Sequence, residues 1–92
     1  MDNEEMFSTR DIYLTSCLVA MGFAVLDTEL EQVGVNSRMI AFWKFKDTPM
    51  LKETKRRYNA SELLVEPKLL FTTMQALKAE VIGMSREATI KR

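Results

Sequence analysis

The chain has 92 residues, with 13 Lys+Arg against 13 Asp+Glu, no His and a single Cys, Cys17. Its length suits one domain with one modest core, and 47% apolar with 28% charged residues is ordinary globular composition. The lone Cys and absent His exclude an internal disulfide framework and the usual zinc and iron–sulfur ligand sets, and neutrality argues against indiscriminate coating of nucleic acid.

Residues 1–7 are acidic at Asp2, Glu4 and Glu5, unlike a signal peptide, and are expected to form a flexible lead-in. Ser8-Thr9-Arg10-Asp11 has the spacing of a capping box, which predicts a helix starting at Ser8. Leu14, Cys17, Leu18 and Met21 then recur at i, i+3, i+4 and i+7, and Gly22 is placed as a left-handed C-cap under Phe23. Residues 23–46 read as a hairpin, with turn residues at Gly34-Val35-Asn36-Ser37. In its second strand Met39, Ala41, Trp43 and Phe45 alternate with Ile40, Phe42, Lys44 and Lys46. Thr48 is suited to cap a second helix with Pro49 at its first position, Leu51, Thr54, Lys55 and Tyr58 on one face, and Asn59 as its left-handed end. Residues 62–66 (Glu-Leu-Leu-Val-Glu) read as a third strand stopped by Pro67. A last helix runs from Pro67 to about Ile82, with Leu70, Met74, Leu77 and Val81 in a stripe, Gly83 as C-cap and 84–92 as a frayed tail. The order α-β-β-α-β-α defines one α+β domain over 8–83, a three-stranded sheet with helices packed against it. The longest nearly apolar run, Cys17 to Leu26, is far short of the roughly 20 residues of a membrane span, so a cytoplasmic protein without membrane partners is expected.

Three stretches resemble a family of small phage and mobile-element domains of unknown function. Ser8-Thr-Arg-Asp-Ile-Tyr-Leu14 with Gly22-Phe23 is similar to the family's S-T-x-D-L-Y-L … G-F opening. Phe42-x-x-Phe45-x-Asp47-x-Pro49 is similar to its strand ending in Asp and Pro, and Tyr58-Asn59 … Val65-x-Pro67 … Leu77-Lys78 to its Y-N … V-x-P … L-K stretch. Ala60-Ser61 stands where the family pattern often has Gly. The resemblance covers roughly residues 8 to 82 and implies the fold and a mobile-element setting. It carries no catalytic residues.

No enzyme chemistry is legible. A hydrolytic triad lacks its usual base, and three glycines in all leave no phosphate-cradling loop. Cys17 falls in the apolar stripe, where a thiol packs as a small hydrophobe. Asp27, Glu29 and Glu31 alternate on a strand and could gather as a hard-cation site, but a solvated strand face is the weightier reading. No catalytic residue, metal or other cofactor is assigned.

Charge is more informative. Residues 1–37 hold seven acids and one base, whereas 38–57 hold seven bases (Arg38, Lys44, Lys46, Lys52, Lys55, Arg56, Arg57) against Asp47 and Glu53. Such a basic region, with Trp43 or Phe42 stacking if exposed, suits nucleic acid or a nucleic-acid-handling host protein. The competing reading keeps Trp43 in the core and the cations in solvent. A second function class is an anti-defence inhibitor, anti-CRISPR-like or other, that presents Asp27, Glu29 and Glu31 to a basic host protein. Homodimerisation through the opposite charges is a third.

Overall fold

A computed structural model describes residues 5–33 and 38–90. The elements are β1 (Met6–Thr9), α1 (Ile12–Ala20), β2 (Asp27–Val33), β3 (Arg38–Lys46), α2 (Pro49–Asn59) and α3 (Pro67–Ile90). The fold is α+β, with a three-stranded antiparallel sheet in the order β1-β3-β2. The strand on the far side of β3 is therefore supplied by Met6–Thr9, within and just after the expected lead-in. Residues 62–66 form no strand, and Leu64 among them is 92% exposed. Strand propensity is realised only with a partner, and β3 already has one on each side.

The start of α1 is also shifted from the sequence expectation. Ser8 lies in β1 opposite Lys44, and Asp11 is the N-cap, accepting from the amides of Tyr13 (2.9 Å) and Leu14 (3.2 Å). Thr9 Oγ1 accepts the Asp11 amide and turns the chain out of the strand. At the other end Gly22 has φ +101°, with its amide on the Val19 carbonyl and that of Phe23 on the Leu18 carbonyl. That is a Schellman cap, as the Gly-Phe pair predicts. The apolar stripe understates α1, since Thr15 and Ser16 are as buried as Leu18 and the helix touches both α2 and α3.

Thr48 caps α2 through Leu51 N–H with Pro49 at the first position, as expected. Its end is again a Schellman cap, but the left-handed residue is Ser61 (φ 59°), two positions beyond the expected Asn59. Glu66 caps α3 by accepting from the amides of Lys68 and Leu69. This helix continues through Gly83 to Ile90, because Met84 and Ser85 remain half-buried one turn beyond Val81 and an isolated glycine costs a helix only about 1 kcal/mol.

All three helices lie on one side of the sheet. Leu14, Leu18, Ala41, Trp43, Phe45, Leu51 and Leu77 form the core, so the inward face of β3 is the one the alternation predicts. The turn at 34–37 lies outside the described residues. Among the described helices, none is long and apolar enough to cross a membrane.

Candidate interaction surface

Among the described residues, the other sheet face has no helix on it. β3 presents Ile40, Phe42, Lys44 and Lys46 there, and β2 presents Asp27, Glu29 and Glu31. The register sets Asp27 opposite Lys44, Glu29 opposite Phe42 and Glu31 opposite Ile40. Met6 and Ser8 of β1 complete the face beside Lys46 and Lys44. The acidic and basic groups that the sequence keeps apart thus become neighbours on one surface. Asp27, Glu29 and Glu31 are all exposed, whereas Ile40 and Phe42 between the charges are half-buried. β2 is an edge strand, so its acid row borders an open sheet edge among the described residues.

The basic region is divided by the same geometry. Trp43 is 3% exposed and belongs to the core, which removes it as a stacking platform; Phe42 keeps only partial exposure. Lys44 Nζ bridges Glu29 Oε2 at 2.9 Å, and that hydrogen bond raises its pKa above the ordinary lysine value. Lys46 is exposed at the end of β3, and Arg38 opens that strand opposite Val33. On α2, Lys55 turns inward, its Nζ lying 3.7 Å from the centroid of the Phe7 ring. Arg56 donates to both Glu53 oxygens (3.1 and 2.8 Å) and Arg57 to one (3.2 Å). These bonds hold the Glu53 carboxyl down at about 2. Arg56 also lies 3.7 Å from Glu62. Lys52 is exposed beside them. The seven bases therefore form no single cationic platform: two are held by Glu53, one is tied to β2 and one covers an aromatic ring.

Among the described residues, no group of three His, Cys, Asp or Glu side chains is placed to hold a metal ion. Cys17 is a buried residue of α1, and burial, with Asp11 nearby, pushes its pKa up. Ile40 is the surface residue that the sequence reading of charge leaves aside. Its signal was the period-two alternation of β3, which sends it, with Phe42, to the face opposite Trp43.

No family model, curated protein or solved structure matches the chain.

Proposed function

We propose that this chain is a non-enzymatic interaction module that binds a basic protein through the outer face of its sheet. One observation carries the reading: Asp27, Glu29 and Glu31 stand in a row on an exposed edge strand, beside the apolar Ile40 and Phe42. A row of carboxylates steers a cationic partner and sets its register, and the apolar strip supplies area that can be dried on contact. Two copies of β2 paired edge to edge would bring their acid rows together, which disfavours a homodimer through this strand. The resemblance to phage and mobile-element domains supports a nucleic-acid-handling host protein as the target class, hence an anti-defence role in the host cytoplasm.

The second reading is nucleic-acid binding through α2, favoured by the exposed Lys52, Arg56 and Arg57 on one helix. Glu53 must then yield its two arginines to phosphates.

A tagged pull-down from bacterial lysate, with and without nuclease, separates the two. On the first reading a specific protein band survives nuclease and disappears with Asp27→Lys/Glu29→Lys/Glu31→Lys, provided the variant melts like the wild type. A band lost to nuclease, and lost equally with Arg56→Glu/Arg57→Glu, selects the second.

A further inference from the structure

β1 is only four residues long and stops at Thr9, opposite Trp43. Beyond that rung the first half of β3 has β2 on one side and no strand on the other among the described residues. The chain leaves the sheet at Arg10, and α3 passes alongside with Lys78, Val81 and Ile82. The notch left by the missing strand is a cavity of about 310 Å³. That is at the small end of the roughly 300–1,000 Å³ typical of ligand sites.

Its lining is apolar except at two points. Ile12, Ile40, Ala41, Trp43, Val81 and Ile82 make the walls, and Arg10 and Lys78 are the charged residues in it. Both cations are exposed, one in the β1–α1 connection and one on α3, and have no ion-pair partner among the described residues, unlike Arg56 and Arg57. Among the described residues, no carboxylate lines the cavity. Trp43, 3% exposed, forms part of the apolar wall.

We infer that this notch binds a small amphipathic carboxylate, its hydrocarbon tail between β3 and α3 and its carboxylate between Arg10 and Lys78. An apolar slot of this size takes an unbranched chain of medium length, and a guanidinium and an ammonium in the same lining can give charge-assisted hydrogen bonds to the two carboxylate oxygens. The site lies at the unpaired end of β3, across that strand from the acid row of β2, and does not depend on the protein-binding reading.

Trp43 is the single tryptophan, so its emission reports on the cavity alone. Decanoate, titrated below its micellar range, is expected to shift that emission saturably, with decanol binding at least tenfold more weakly. Arg10→Glu/Lys78→Glu should weaken decanoate at least tenfold and leave decanol unchanged. Ile82→Phe, which narrows the rim without touching either cation, should weaken both. Should the double reversal fail to fold, the decanoate–decanol comparison on the wild type decides. Equal binding of the two, or no saturable response to millimolar decanoate, would overturn the inference.

Discussion

Glu29 on β2 and Lys44 on β3 meet diagonally across the sheet, two rungs apart in register, with 2.9 Å between Oε2 and Nζ. The contact joins the acidic 1–37 segment of the chain to the basic 38–57 segment that follows. Net neutrality in this protein is thus partly a local fact, produced where two oppositely charged strands lie side by side. It also fixes the layout of the open sheet face: Lys44 is engaged by Glu29, while Asp27 and Glu31 stand exposed on either side of Glu29 along β2.

The pair should titrate in a defined direction. Lys44 has its folded pKa raised, first by the hydrogen bond from its ammonium to Glu29. Its contribution is therefore complete below the ordinary lysine value and is lost as pH rises through the folded one. Lys44→Met should lower Tm slightly at neutral pH and low salt, and that difference should shrink in high salt and towards alkaline pH. Melting curves of both proteins across pH 7–12 check it.

Asp11 holds two free amides of α1 and also accepts a hydrogen bond from Tyr58 Oη at 3.2 Å, tying the helix start to α2. Asp11→Ala should cost about 1–2 kcal/mol, the upper range for a lost N-cap, by urea denaturation. Ser8→Ala, exposed in β1, should stay within about 0.5 kcal/mol. The opposite ranking would mean that the helix starts at Ser8 after all.

Ser61 occupies the left-handed conformation, where a side chain meets a backbone penalty that glycine escapes. Ser61→Gly should therefore stabilise by about 0.5–1 kcal/mol, seen as a higher urea midpoint at unchanged slope. Gly83 is the converse case: it sits inside α3, and an added Cβ would meet no atom within 4 Å. Gly83→Ala should stabilise by about 0.5–1 kcal/mol, whereas Gly22→Ala at φ +101° should destabilise by about 1 kcal/mol.

Cys17 is buried with a raised pKa, so little thiolate forms near neutral pH. Native protein should react with a chromogenic disulfide at least roughly a hundredfold more slowly than protein in guanidinium. Rapid native labelling would place the thiol outside the core.

The class of fold was legible because its signals are local. Thr48-Pro49 names a helix start, Gly22-Phe23 a helix end, and Met39, Ala41, Trp43 and Phe45 mark an inward strand face by alternation alone. What the residues could not declare was which strand lies beside which. Residues 62–66 and Met6–Thr9 both have strand composition, and β3 had room for one more neighbour; the chain supplies it from its N-terminal side. The acid row was readable as Asp27, Glu29 and Glu31, but its apposition to Lys44 depends on register, set by contacts between strands. The same holds for Arg56 and Arg57: seven bases look like one patch until Glu53 is seen between two of them.

The brevity of β1 also bears on the order in which the protein assembles and comes apart. β2 and β3 are adjacent in sequence and can zip as a hairpin, whereas β1 must bring Met6 to Lys46 across α1 and the whole hairpin. Closing that larger loop costs more chain entropy for only four rungs of pairing. β1 should be the last strand to dock and the first to leave, its amides exchanging with deuterium while those of the β2–β3 ladder remain protected. The sheet would then breathe from the β1 side, the side on which the notch beside Trp43 opens.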